Sequence, residues 1–318
     1  MIDTDSIRRA ADILKSGGLV AFPTETVYGL GADARSTAAI GRIYALKGRP
    51  SDHPVIVHLA DLADLDAWAV DVPVAARRLA ERAWPGPLTM ILRRAPGVPG
   101  AVAGGQDSIG IRIPSHPVAQ ALLREFGSGI AAPSANRYGR ISPTAAAHVR
   151  EEFGAEAPLI LEGGECEVGL ESTIVSLVDE PLLLRPGAVS LHQLESILGP
   201  VRRAAVGEGP RAPGTTLSHY APITPVRLVS AQGLSAGVDP DAAVYARRSR
   251  PSAHRGAWIE APQGATRYGH DLYARLRELD RVGAAVILIE TVPTDPEWDA
   301  VRDRLSRAAA ACVDDELA

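Results

Sequence analysis

Apolar positions along the chain fall into short runs of changing period. Ile7, Ala10, Ala11 and Leu14 recur at helical spacing, so residues 6–16 read as a helix that Gly17-Gly18 stops. "LVAF" follows as a short buried strand and runs into the polar loop "PTETVYGLG". Ile40, Ile43, Tyr44 and Lys47 mark a second helix over 38–47. "VIVHL" (55–59) reads as a strand, 73–83 as a helix ended by the rigid turn "WPGP", and "LTMIL" as a strand. In "SIGIRI" (108–113) Ile109, Ile111 and Ile113 alternate toward a core, which turns Gly110 and Arg112 the other way. A helix is predicted over about 117–126, then a strand into "APSAN". "SPTAAAHVREEF" is expected to open a helix with Ser142 as N-cap and Pro143 at the first helical position. "PLILEGG", "STIVSLV" and "LLLRPG" read as strands and turns, and "SLHQLESILG" as a helix with a Ser190/Gln193 capping box.

The pattern then breaks. From 201 to 225 the chain is rich in proline and poor in apolar runs, the composition of a linker, here with polar and aromatic residues near its end that suit docking. Beyond it strands are predicted near 226–229, 242–246, 257–260 and 285–290, with helices near 270–280 and 297–311. The domain reading is therefore 1–200, a linker or lid over 201–225, and a smaller α/β unit over 226–318. Alternation of strands and helices in both parts makes the fold class α/β.

Composition narrows the function classes. A 46% hydrophobic fraction supplies a core, and 22% charge excludes a disordered chain. The net charge of -5 argues against binding nucleic acid through bulk positive charge. The two cysteines, Cys166 and Cys312, form no CxxC pair, so zinc ribbons and disulfide frameworks are not expected. There is no basic segment leading into an apolar one at the N-terminus, and no uncharged apolar run approaches the roughly 18 residues of a membrane span. The expected location is cytoplasmic.

No phosphate-loop, dinucleotide, GxSxG or HExxH motif is present. Polar clusters stand instead beside strand and helix ends. They are Thr24, Glu25, Thr26 and Tyr28; Lys47, Arg49, His53 and His58; Ser108 and Arg112; Ser134, Asn136 and Ser142; Glu171 and Ser172; and Arg185. Taken singly, Lys47 and Arg49 could simply cap a helix, and Arg112 could be solvated. Together, Lys47, Arg49, Arg112 and Arg185 place four cations among Ser, Thr and Asn donors, a set suited to a polyphosphate. His53 and His58 lack a third ligand at metal spacing, so no protein-held metal is expected.

The runs "PTETVYGLG", "KGRPSDHPVIVHL", "WPGPLT", "GIRIP", "APSANRYGRISPT", "GLESTIV" and "LRPG", in this order, resemble the Sua5/YrdC (TsaC) family of threonylcarbamoyl-AMP synthases. The paired KxR and SxN signatures stand as Lys47/Arg49 and Ser134/Asn136. "RAPGTTLSHYAP" and the unit after it resemble the linker and C-terminal domain of the long Sua5 form, so the likeness covers nearly the whole chain.

The resemblance implies a YrdC-like twisted mixed sheet with a central cleft, followed by a Rossmann-like C-terminal domain. It implies a nucleotidyltransferase that makes threonylcarbamoyl-AMP and pyrophosphate from L-threonine, bicarbonate and ATP. The product would pass to the t6A transfer machinery that modifies tRNA, with tRNA itself a weak contact at most. Mg2+ is expected to arrive with the ATP phosphates. Residue by residue, the family pattern places threonine near Thr26, His58, Arg112, the Ala132 backbone and Ser172. It places ATP near Lys47, Arg49, His53, Ser108, Ser134, Asn136, Ser142 and Arg185, with His219 or Tyr220 closing over it, and makes Lys47 and Arg49 the catalytic cations. Gly29 and Gly31 are expected to be permissive backbone beneath the substrate, and Glu25 has no assigned role. Two positions depart from the family: His53 stands where Asn is frequent, and Ala212 stands in place of a serine before Pro213-Gly214. The competing readings are an RNA-binding module and a carbamoyl-adenylate enzyme of hydrogenase maturation. The latter carries acylphosphatase and zinc-finger segments that this chain does not show.

Overall fold

Asp3 starts the first helix, its carboxylate accepting the backbone N–H groups of Asp5 and Ser6 at 3.1 and 3.3 Å. The computed structural model describes residues 3–215 and 219–314, with side chains to 310. Contacts divide the chain into one unit of residues 1–138 with 143–215 and a second of 139–142 with 216–318.

In the first unit α1 (Thr4–Lys15) buries the predicted face of Ile7, Ala10, Ala11 and Leu14. Two strands follow, β1 (Val20–Phe22) and β2 (Gly29–Asp33), paired antiparallel across the polar loop. Helix α2 (Thr37–Lys47) ends at Gly48, whose φ of 62° is the left-handed cap that glycine adopts freely. Next come β3 (Ile56–His58), β4 (Ala69–Val70), α3 (Val74–Ala83), β5 (Leu88–Arg94), β6 (Ser108–Arg112), α4 (Pro117–Phe126) and β7 (Ile130–Ala131). The unit closes with α5 (Ala146–Phe153), β8 (Leu159–Ile160), β9 (Thr173–Ser176), β10 (Leu182–Arg185), α6 (Leu191–Leu198) and β11 (Arg202–Arg203). These strands form one mixed sheet in the order β11-β10-β9-β5-β6-β3-β7-β2-β1-β8, with β4 on β5.

The predicted alternation in β6 sets the two faces of this sheet. Ile109, Ile111 and Ile113 enter the main core with Met90, Val57, Leu92 and Val175. The opposite face carries Ile56, Ile91 and Ile174, in a smaller cluster with Leu182, Leu184 and Ala212. α1 and α4 enclose a third cluster with Val20, Phe22 and Ile130.

Three expectations change here. Ser142 caps no helix: α5 begins at Ala146, and its N-cap, Ala145, has no side-chain acceptor. The reason is tertiary. The Pro143 carbonyl accepts Tyr28 N–H at 2.8 Å and the Thr144 carbonyl accepts Cys166 N–H at 2.9 Å, which holds the segment extended beside the polar loop. The expected linker is also not uniform. Residues 201–215 belong to the first unit, where β11 pairs parallel with β10 and Arg211 exchanges backbone bonds with the Gln106 side chain at 2.8 and 3.1 Å. Residues 216–218 of that stretch lie outside the described residues. Finally, Gly29 and Gly31 serve packing. A Cβ on Gly31 would meet Phe22 at 2.8 Å and Ile130 at 2.9 Å, and one on Gly29 would meet Ala132 at 3.2 Å.

The second unit is a parallel sheet of β12 (Val226–Val229), β13 (Ala243–Ala246), β14 (Trp258–Glu260) and β15 (Ile287–Glu290), ordered β12-β15-β13-β14. Helix α7 (Ala231–Ala236) buries Leu234 against Val244, Ala246 and Leu288 on one face. On the other, Tyr245 of β13 packs against Tyr268 of α8 (Ala265–Asp280), ring centroids 4.9 Å apart, and α9 (Asp299–Asp314) lies beside α8.

Candidate active site

The loop after β1 is shaped by its own hydroxyls. Thr24 Oγ1 donates to the Val27 carbonyl at 2.6 Å and accepts Thr26 and Val27 N–H at 3.2 Å, a turn that a threonine builds locally. This leaves the Thr26 hydroxyl 2.8 Å from that of Thr24 and facing Arg112, whose Nη1 donates to it at 2.8 Å. Arg112 also donates from Nε to the Gly86 carbonyl at 3.2 Å, and its Nη2 lies 2.7 Å from Glu25 Oε1. Both members of this ion pair are about 95% buried. Glu25 Oε2 accepts Ser115 N–H at 3.1 Å, so the carboxylate is fixed from two sides.

Sheet register extends the site sideways. His58 on β3 pairs with Arg112 on β6, and Ala131 on β7 with Val57. On the far side of β6, Thr89 of β5 shares a 2.7 Å hydroxyl contact with Ser172, just before β9. Ser172, Thr89, Arg112 and His58 thus form a polar row across four neighbouring strands, on the face opposite the main core. Ile91, Gly110 and Ile56 make an apolar row behind it, and Ser108 lies beyond. The His58 ring meets Phe22 edge-on at 6.1 Å. Burial, with Arg112 alongside, lowers its pKa to about 3, so the imidazole is neutral at physiological pH. Its buried Nδ1 has no partner among the described residues. Ala132 donates its N–H to the Ile56 carbonyl at 2.9 Å, which leaves its own carbonyl as the group to meet a ligand.

The cations of KxR act through a second loop. Lys47 Nζ donates to the backbone carbonyls of Ser134, at 2.7 Å, and Asn136, and so ties the end of α2 to the SxN turn. Burial, then the neighbouring Arg49, pushes the Lys47 ammonium well below the ordinary lysine range. Arg49 donates to the Pro54 carbonyl at 2.8 Å and lies over the Tyr138 ring at 5.7 Å. The Tyr138 hydroxyl meets His53 Nδ1 at 3.0 Å, and burial followed by Arg49 lowers the His53 pKa. The buried Asn136 amide donates to the Arg137 carbonyl at 2.8 Å. Arg185 spans two segments, donating to the Ser172 carbonyl at 2.9 and 3.1 Å and to the Pro213 carbonyl at 2.9 Å. Next to Pro213, Ala212 enters the apolar cluster of Ile56, Ile91 and Ile174, an environment that suits a methyl group.

Thirteen of the fifteen expected site residues are buried, and His53 and Ser134 are partly so. Ser142 is fully buried and belongs, with His219 and Tyr220, to the second unit. There Tyr220 stacks on His219 at 4.2 Å and on Tyr273 at 5.9 Å.

The family model described as "Telomere recombination", of the Sua5, YciO and YrdC proteins, matches residues 12–187. The model for the threonylcarbamoyl-AMP synthase C-terminal domain matches 189–310. The chain belongs to the Sua5/YrdC family. It is 38% identical to the threonylcarbamoyl-AMP synthase of Pyrococcus abyssi, covering 97% of this chain and 95% of that one. It is also 38% identical to the Bacillus subtilis enzyme of the same name, covering 96% and 94%. A crystal structure of the P. abyssi Sua5 protein complexed with L-threonine superposes with a TM-score of 0.89 at 36% identity, covering 97% of this chain and 95% of that one.

Within this Sua5 fold, four contributors were not assigned from sequence. Glu25 neutralises Arg112, Thr24 builds the turn that aims Thr26, Thr89 orients Ser172, and Tyr138 joins His53 to Arg49. Thr89 could have been found: it alternates with Met90 in a strand whose other face is apolar. Glu25 could not, because its partner lies 87 positions away in sequence and only sheet pairing brings the two together.

Proposed function

We propose that the chain is an L-threonylcarbamoyladenylate synthase that joins L-threonine, bicarbonate and ATP, releasing pyrophosphate. The observation that carries this reading is full-length likeness to enzymes of that name, together with the polar row assembled around a buried arginine. The threonine carboxylate docks on Arg112, whose planar guanidinium has five N–H donors, only some of them engaged by Gly86, Thr26 and Glu25. The Ser172 hydroxyl and the Ala132 carbonyl bracket the rest of the amino acid. Neutral His58 next to Arg112 leaves the threonine amine free of a competing positive charge.

The amine attacks bicarbonate and loses water to give a carbamate. A carbamate oxygen then attacks the α-phosphorus of ATP, and the bond to the pyrophosphate oxygen breaks. No covalent enzyme intermediate is required; the protein contributes positioning and charge neutralisation. Lys47, Arg49 and Arg185 supply cations to the phosphates, with His53, Ser108, Ser134 and Asn136 of the first unit as donors. Among the described residues no group of three His, Cys, Asp or Glu side chains is disposed to hold a metal. Mg2+ would enter on the nucleotide, held by its phosphates, and would supply charge neutralisation there. The product serves tRNA t6A modification in the cytoplasm.

Pyrophosphate release from ATP tests the reading. It should depend on both threonine and bicarbonate and be accompanied by threonylcarbamoyl-AMP. Release that ignores threonine, with no such product, would overturn it. Lys47→Ala and Arg49→Ala should each abolish turnover while the chain keeps its circular dichroism spectrum.

A further inference from the structure

In an open parallel sheet, ligands are held in the crevice beyond the carboxyl ends of the strands, where the strand order reverses. The C-terminal sheet has such a reversal. β15 inserts between β12 and β13, so the chain leaves the carboxyl ends of β13 and β15 toward different neighbours. Arg247 and Arg248 follow β13 directly, and Glu290 ends β15.

The two arginines are used differently. Arg248 is neutralised: its Nη2 lies 2.9 Å from the buried Glu290 carboxylate and its Nη1 donates to Ser235 at 2.9 Å. Glu290 also accepts Arg247 backbone N–H at 2.7 Å, which fixes the start of the loop. The Arg247 guanidinium has no hydrogen-bond or ion-pair partner among the described residues. It lies over the Trp298 ring at 5.2 Å, and its Nε is buried without an acceptor. A half-buried guanidinium over an aromatic ring, with no carboxylate or carbonyl partner, is costly unless an anion completes it.

Two further donors belong to α8. Tyr268, in the first turn-and-a-half of α8, packs its ring on the same Trp298 at 5.4 Å. Its fully buried hydroxyl has no partner. Burial, then neighbouring Tyr245, raises the Tyr268 pKa well above the ordinary value, with smaller, mutually opposing effects of Arg247 and Glu290, so the phenol remains an O–H donor. The 16-residue helix α8 itself begins at Gly264 without a side-chain cap, and the loop leading into it rests on Arg247 through a 2.7 Å bond from Gln263 Nε2 to the Arg247 carbonyl. Its first-turn N–H groups are an anion site by geometry and dipole.

We propose that the C-terminal domain binds the oxyanion of a small metabolite, a phosphate or a carboxylate, at the carboxyl edge of its sheet. Arg247 is the charged anchor, with Tyr268 and the α8 amides as neutral donors. This site lies wholly within the second unit and stands independently of the synthase reading.

The test is nuclear magnetic resonance of arginine Nε–Hε groups in the full chain, titrated separately with inorganic phosphate and with acetate. The Arg247 signal is identified by its loss in Arg247→Met, which keeps the apolar stem over Trp298. Saturable movement of that signal with one of the two anions, and not the other, names the source. Movement with both in the same range assigns the site to oxyanions generally. Tyr268→Phe should weaken binding roughly fivefold, the loss of about one hydrogen bond. Arg247→Met should leave the rate of pyrophosphate release unchanged, and Arg247→Lys, as a second variant that keeps the charge, should bind more weakly than the wild type. An Arg247 signal that neither anion moves, or a Tyr268→Phe affinity equal to wild type, would overturn the proposal.

Discussion

At the residue scale, the Arg112–Glu25 pair decides how a buried cation can remain ready for a carboxylate. Alone in that position, a guanidinium would be costly, and Glu25 compensates it without using every donor. Glu25→Ala should therefore destabilise the fold by about 3–5 kcal/mol, because it leaves an uncompensated buried charge. Urea midpoints would show it, and an unchanged midpoint would refute the compensation. Arg112→Lys keeps the charge but loses the planar fork. It should raise the threonine KM at least about tenfold, more than it lowers kcat, if the carboxylate is read by two parallel bonds. His58 makes a prediction about pH. Its native pKa of about 3 is below the unfolded value, so the unfolded chain binds the extra proton between them. Its contribution to stability is fully present above about pH 6.5 and is lost as pH falls toward 3. The slope of unfolding free energy against pH in that window should flatten in His58→Asn; an identical slope would reject the neutral imidazole.

At the scale of the element, local signals worked where the chain needed no distant partner. The Ser190/Gln193 box of α6 is present in both directions, at 3.2 and 2.8 Å. Ser190→Ala should cost about 1 kcal/mol in urea unfolding, whereas Ser142→Ala should not affect α5, because Ser142 is not its cap. The local pattern at Ser142 is a good cap, yet α5 does not start there, because the Pro143 and Thr144 carbonyls are committed as acceptors to Tyr28 and Cys166. Tertiary hydrogen bonds from two other segments outweigh one capping bond. The same holds for Gly31, whose sequence context suggests a ligand loop but whose missing Cβ admits Phe22 and Ile130. Gly31→Ala should destabilise the fold by about 1–3 kcal/mol through overpacking, with no specific change in threonine KM.

At the scale of the molecule, the first part of the proline-rich stretch is structural. β11 extends the large sheet, and Ala212 covers the apolar row behind the polar one. A fragment ending at residue 215 should therefore melt cooperatively, and one ending at 200 should melt several degrees lower; equal midpoints would show that residues 201–215 add nothing to the first unit.

The sequence by itself determined the periodic elements, the α/β class and the side of β6 on which Arg112 lies, because period and turn chemistry are local. It also supplied the ordered motifs that mark the family. The tertiary structure alone decided which groups meet. Sheet order sets His58, Arg112, Thr89 and Ser172 in one row, and it gives Arg112 its carboxylate partner in Glu25. The hydrogen bonds and ion pair that tie Arg112 to Thr26 and Glu25, and Thr89 to Ser172, join segments 83 to 87 positions apart, so no short window along the chain contains both partners.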